Sequence, residues 1–201
     1  MSADGNIVGN VYDKYGTTNP IARWLMRGFL DAVTELFDEV APRRVLEVGC
    51  GEGRLAAELV ASARRKPEQF IATDVSLHKI DQDLDPVLEF REASVYELPF
   101  ADGAFDLVVC CEVLEHLEEP ERALSEIARV TGGSVIVSTP REPLWRALNV
   151  ARGKYVRDLG NTPGHIQHFS QQGLLELVTS RFFVERVKAP VPWTVLRGVP
   201  R

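Results

Sequence analysis

Two groups of residues in this chain have the types and spacing for chemistry. The first is the run Glu47-Val48-Gly49-Cys50-Gly51-Glu52-Gly53, three alternate glycines behind an acid. Glycine lets backbone approach a ligand where a Cβ would collide, and it admits positive φ. Peptide N–H groups at a strand end or helix start are ready donors to such a ligand. Asp74 follows about twenty residues later, the spacing expected of an acid that accepts from ribose hydroxyls. The bland alternative for Asp74 is a helix cap, with Ser76 an equally good capper. The second group is Glu112, Glu115 and His116, with His165 and His168 farther on. Carboxylates and imidazoles together suit a divalent cation. An imidazole with a near-neutral pKa also suits proton abstraction. If a helix begins near residue 112, offsets of three and four put Glu112, Glu115 and His116 on one face.

The elements that must position these groups are legible in the hydrophobic pattern. Residues 1 to about 18 read as an extended polar arm carrying Tyr12 and Tyr15. Ile21, Trp24, Leu25, Phe29, Val33, Leu36, Phe37 and Val40 recur at helical spacing and predict a long amphipathic helix ending before Pro42, its stripe facing the core. Val45 to Val48 is a short buried strand, and a helix begins at Arg54. Phe70–Val75 and Val87–Arg91 read as the next strands, and the continuous apolar run Phe105–Cys111 as a central parallel one. Glu121–Val130 reads as a helix that Thr131-Gly132-Gly133 terminates. Ser134–Ser138 is another strand, Leu174 to Val178 mark a last helix, and Phe183–Val187 and Trp193–Leu196 close the chain. Alternating strands and helices of this kind predict a doubly wound α/β sheet in a single domain.

The spacing Glu47, Gly49, Gly51, Gly53 resembles the first motif of class I S-adenosylmethionine-dependent methyltransferases, E/D-x-G-x-G-x-G. The resemblance covers roughly residues 40 to 200. It implies a mostly parallel seven-stranded Rossmann-like sheet with helices on both faces and a final antiparallel strand. It also implies a donor pocket for S-adenosylmethionine lined by Glu47, Gly49, Cys50, Gly51, Gly53, Asp74, Val75, Ser94, Val95 and Cys111. Ser94 stands where that family commonly has an aspartate for the adenine amino group. An uncharged hydroxyl is the weaker acceptor, which shifts weight to the Val95 N–H. Glu112-Val113-Leu114-Glu115-His116 resembles the metal motif of small-RNA 2′-O-methyltransferases and a stretch of ubiquinone-pathway O-methyltransferases. That likeness implies Mg or Mn held by Glu112, Glu115, His116 and His165. The same run also occurs in metal-free small-molecule methyltransferases, where Glu115 is solvated and His116 packs or caps. Glu112, His165 and His168 are the candidate catalytic residues.

Residues 141–170 read as an acceptor-side lid. Arg141, Arg146, Arg152, Lys154 and Arg157 stand against Glu142 and Asp158, a local surplus of three positive charges in a chain of formal net charge −6. Trp145, Leu148 and Val150 add an apolar face. Such a lid suits a small-molecule acceptor that is anionic or linked to a glycosyl or lipid-carrier phosphate. The overall acidity argues against broad binding of nucleic acid or anionic membranes, and no apolar run is long enough to span a bilayer. Cys50, Cys110 and Cys111 form no C-x-x-C pair and read as buried thiols of a reducing cytoplasm. The expected function is O-methylation of a small molecule. RNA ribose 2′-O-methylation and non-catalytic binding of the donor are the alternatives.

Overall fold

The computed structural model describes residues 19–77, 80 and 85–201. The expected arm with Tyr12 and Tyr15 lies outside the described residues. Helix α1 (Pro20–Val40) is capped by the Asn19 side chain, which accepts from the Ile21 and Ala22 amides. Pro20 at its first position has no amide hydrogen to leave unpaired. The following elements are β1 (Arg44–Val48), α2 (Arg54–Ser62), β2 (Gln69–Asp74), β3 (Leu88–Glu92), β4 (Phe105–Cys111) and α3 (Pro120–Val130). Then come β5 (Thr131–Pro140), α4 (Leu144–Ala151), α5 (Gln171–Thr179), β6 (Phe182–Lys188) and β7 (Trp193–Pro200).

The seven strands form one sheet in the order β3-β2-β1-β4-β5-β7-β6. β7 runs antiparallel to both its neighbours, and the remaining pairings are parallel. Both faces are covered, so alternate residues of a central strand enter opposite cores. From β4, Leu107, Val109 and Cys111 pack with Phe29, Val33 and Phe37 of α1 and Leu59 of α2. Val108 and Cys110 pack with Leu124 and Ile127 of α3 and Leu174 of α5. That two-sided burial is why β4 reads as an unbroken apolar run rather than an alternating one. The order of winding reverses between β1 and β4. In an open α/β sheet the crevice beyond the carboxyl ends of those strands is where ligands bind.

Two expectations fail locally. α3 does end at Val130, with Thr131 as its C-cap bonding the Ile127 carbonyl, but Thr131-Gly132-Gly133 then opens β5 in place of a left-handed glycine cap. The register slips between Phe105 and Leu107 here. A Cβ at Gly133 would stand 2.3 Å from the Asp106 carbonyl oxygen, so glycine answers strand crowding rather than a helix end. The apolar stripe of α1 is also not all core. Burial begins at Met26, and Ile21 and Trp24 on the first turns are each 69% exposed.

Candidate functional site

The glycine loop follows β1 with Gly49, Gly51 and Gly53 at φ of 75°, 55° and 74°. Gly49 is pressed against the segment after β4. A Cβ there would lie 2.4 Å from Cγ2 of Val113. Gly51 is the opposite case, since a Cβ would meet nothing within 4 Å. Its positive φ is held beside open space at the crevice. The loop amides are less available than the motif suggested. Gly49 and Cys50 donate to the Thr73 carbonyl at 2.7 and 2.9 Å, and Gly53 donates to Cys50. Gly51 donates to Asp74 Oδ2 at 2.8 Å. These bonds set the loop's shape, so the open volume, not a row of unpaired donors, is what it offers a ligand.

Asp74 stands at the end of β2. Its Oδ1 also accepts from the Ser76 amide at 3.3 Å. A carboxylate offers about four lone-pair positions, so two remain open to further donors. Glu47 is 3% exposed. Burial, and then the charge of Asp74, push its carboxyl up to about 8, with a hydrogen bond from the Ala56 amide acting the other way. The Cys50 thiol is raised by burial and by the Glu47 and Asp74 charges. A buried acid beside a second carboxylate, next to open space, suits a ligand carrying positive charge. Nearby, Ser94 Oγ accepts from the Tyr96 amide at 3.3 Å. Val95 is buried, Val75 is 56% exposed, and Cys111 is buried with its thiol pushed up by burial.

The second group of candidate residues begins where β4 ends. The expected helix over 112–116 does not form. Glu112 has φ of 61°, and only Leu114–His116 make a single 3-10 turn. Glu112 therefore leaves the face of Glu115 and His116. Its Oε1 accepts from Ser138 Oγ at 3.2 Å and its Oε2 from Trp193 Nε1 at 2.7 Å. Glu115, His116 and His165 do come together, with ligand atoms within 4.8 Å of one another, and Glu115 and His165 are buried. His116 Nδ1 lies 2.8 Å from the Gly164 carbonyl oxygen. A carbonyl only accepts, so Nδ1 carries the hydrogen and Nε2 presents its lone pair. That arrangement is the usual support for a metal-ligating imidazole. The backbone keeps the two halves in step, because the Ile166 and Gln167 amides both donate to the Glu115 carbonyl. The donor set, one carboxylate and two imidazoles, fits a divalent cation.

The histidine pair is sorted by the fold. His165 packs edge-on to His116 with centroids 4.9 Å apart and is stacked by Trp145 at 6.1 Å and 19°. His168 leaves this cluster and places Nε2 2.8 Å from Asn161 Oδ1. The lid's predicted apolar face is divided as well. Trp145 is buried toward His165 and bonds Thr162 Oγ1 through Nε1 at 2.9 Å, whereas Val150 is 42% exposed on the other side of α4. The supporting residues that the sequence did not single out are Ser138, Asn149, Thr162 and Trp193. Asn149 donates to both the Gly160 carbonyl and Thr162 Oγ1. A buried asparagine in an otherwise apolar helix was the available signal.

A model of the methyltransferase domain family matches residues 46–137. The chain is 34% identical over 158 residues to a probable S-adenosylmethionine-dependent methyltransferase of Mycobacterium tuberculosis, covering 75% of this chain and 53% of that protein. It is 34% identical over 121 residues to the ubiquinone biosynthesis O-methyltransferase of Alkalilimnicola ehrlichii, covering 55% and 47%. The chain thus spans about half the length of these curated relatives. Among solved structures, magnesium protoporphyrin IX methyltransferase from Synechocystis with bound SAH superposes with a TM-score of 0.64 at 19% identity, over 92% of this chain and 90% of that one. The small RNA methyltransferase HEN1 gives 0.69 at 15% identity, over 88% of this chain and 25% of that one. At these identities the superpositions speak for the fold alone.

Proposed function

The chain belongs to the class I S-adenosylmethionine-dependent methyltransferases, and from that premise we propose that it methylates an oxygen of a small-molecule acceptor. One observation carries this reading. The glycine loop after β1 touches the segment after β4 at Val113, two residues before Glu115 opens the Glu115–His116–His165 cluster. A donor pocket and an acceptor-activating group thus meet at one crevice.

Bound there, S-adenosylmethionine supplies a methyl group on a sulfonium that departs as a neutral thioether. Asp74 would hold the ribose hydroxyls, and Ser94 with the Val95 amide would meet the adenine edge. Glu47 and Asp74 would favour the donor's positive charge. Glu115, His116 through Nε2, and His165 would hold a Mg or Mn ion, whose Lewis acidity lowers the pKa of a ligated oxygen. Glu112 would form the crevice wall that Trp193 and Ser138 hold in place. Holding donor and acceptor in line is itself worth on the order of 10⁵–10⁸ M in effective molarity. The basic segment after β5 would face an anionic part of the acceptor. The likeness to a ubiquinone biosynthesis O-methyltransferase supports a small-molecule acceptor. The buried free cysteines support a reducing, cytoplasmic setting. Among the described residues no helix is long and apolar enough to cross a membrane.

Calorimetry with S-adenosylhomocysteine, followed by a methyl-transfer screen over phenolic and sugar acceptors with and without manganese, tests the reading. Donor binding with manganese-dependent turnover supports it. Turnover that a chelator leaves unchanged removes the metal, and binding without turnover over a broad panel favours a non-catalytic binder. The three-residue cluster also supports a second reading, methylation of an RNA ribose. That reading requires activity on RNA that falls steeply with salt.

A further inference from the structure

The segment after β5 forms an open, solvent-facing cavity apart from the Glu115–His116–His165 cluster. It has a volume of about 380 Å³ and is lined by Arg146, Arg157, Asp158, Leu159, Asn161 and His168. Its walls are α4 and the stretch through residues 157–168, and they are tied to each other. Arg146 Nε donates to the Leu159 carbonyl at 3.0 Å, and Asn149 Nδ2 to the Gly160 carbonyl at 2.8 Å. Gly160 lies so close to α4 that a Cβ would stand 2.2 Å from the Arg146 carbonyl oxygen. Tyr155 and Leu159, neither of them glycine, bracket the turn Val156–Asp158 at φ of 53° and 49°. Backbone held in that region costs energy and collects at ligand sites.

Two guanidiniums line this cavity, and the Glu142 carboxylate lies close enough to interact electrostatically with Arg146 and His168. Arg146 uses only Nε on the loop, which leaves its two Nη groups. Among the described residues neither Arg146 nor Arg157 has an ion-pair partner, and Asp158, in the same wall, pairs with neither. His168 gives its Nε2 hydrogen to Asn161 Oδ1, and its Nδ1 donates to an anion only when both ring nitrogens carry hydrogen. One guanidinium suffices for a carboxylate in bidentate geometry. Two guanidiniums from separate elements suit a tetrahedral oxyanion with oxygens in several directions. Asp158 can accept from a hydroxyl beside that oxyanion.

We propose that this cavity binds a phosphoryl group carried by the acceptor. This rests on the reading of residues 141–170 as the acceptor side. Two features join the cavity to that side. Trp145, next to Arg146, stacks on His165, and Asn161 donates through Nδ2 to the His165 carbonyl at 3.4 Å. The phosphoryl group is a handle that orients the acceptor; methylation occurs elsewhere on the molecule.

Inorganic pyrophosphate titrated calorimetrically into the whole protein tests the proposal, with S-adenosylhomocysteine titrated in parallel. The expected result is one-to-one pyrophosphate binding, weakened at least tenfold by Arg157→Gln and unchanged by Arg64→Gln, an exposed arginine after α2. Arg157 is exposed, so its replacement leaves folding and the S-adenosylhomocysteine affinity intact. No binding to the wild type, or equal weakening by both variants, overturns the proposal. Loss of S-adenosylhomocysteine binding with Arg157-dependent pyrophosphate binding retained would sink the donor reading and leave the phosphoryl site standing.

Discussion

Gly51→Ala separates the loop's two tasks, keeping its own fold and leaving space for a ligand. The added methyl meets no protein atom within 4 Å, so nothing is overpacked in the free protein. The cost to stability is that of a non-glycine residue at φ of 55°, roughly 1–2 kcal/mol. For a domain of this size that lowers Tm by about 2–8 °C at 2–4 °C per kcal/mol. The methyl does enter the volume assigned to the donor. Crowding of that order costs about 1–3 kcal/mol, or roughly 5- to 150-fold in affinity. The assay is thermal unfolding with and without S-adenosylhomocysteine at one hundred times the wild-type Kd. Linkage gives the wild type about 2.7 kcal/mol of stabilisation there. The same relation leaves the variant about 0.3–1.8 kcal/mol. Gly49→Ala provides the contrast, because its Cβ strikes Val113 and lowers stability before any ligand is added. If Gly51→Ala kept the full ligand-induced rise in Tm, the volume in front of Gly51 would not be the donor site.

Three further outcomes follow from the packing and electrostatics. Glu47 has a native-state carboxyl pKa of about 8 against an ordinary 4.5, so between those values the folded chain binds more protons than the unfolded one. Stability from this group therefore falls as pH rises from about 4.5 to 8, and Glu47→Gln should flatten the slope in urea unfolding across that window. Gly133→Ala forces a Cβ against the Asp106 carbonyl and should cost about 1–3 kcal/mol, read as a lower urea midpoint at unchanged m. Trp145→Phe keeps a ring over His165 but loses the bond to Thr162, and should cost about 1 kcal/mol with little change in manganese affinity by electron paramagnetic resonance. Trp145→Ala removes the stack and should weaken manganese binding as well as stability. Equal manganese affinity in all three forms would remove Trp145 as a positioning residue.

The sheet was legible because its central strands announce themselves. β4 emerges at Phe105–Cys111 as read, since burial on both faces leaves the stretch Leu107–Cys111 without a polar residue. The donor motif was equally local, three glycines and an acid whose positions are fixed by one turn. The acceptor side was not local. Helical spacing put Glu112 with Glu115 and His116, but the chain turns through positive φ at Glu112 and sends it to Trp193, eighty-one residues away in sequence. No periodicity encodes a partner that distant. Trp145 and Val150 likewise looked like one stripe until α4 was docked through its buried tryptophan and asparagine. The end of α3 at Thr131 was legible, but the role of Gly132 and Gly133 was not, because glycine serves both for a left-handed cap and for close strand approach, and only the neighbour across the sheet distinguishes them.

One bond near the mouth of the crevice bears on how such a protein changes over evolutionary time. The amide of Glu142 donates to the carbonyl of Phe169 at 2.8 Å, so the excursion between them departs from and returns to nearly the same point. A stitch of that kind makes the intervening stretch an interchangeable cassette. Lengthening a closed excursion adds only about 0.6 kcal/mol per doubling, while the strands below keep their neighbours and register. Much of the stretch 143–168 can therefore be rewritten around a retained His165, and a chimera carrying foreign residues between those two anchors should still fold around its original glycine loop.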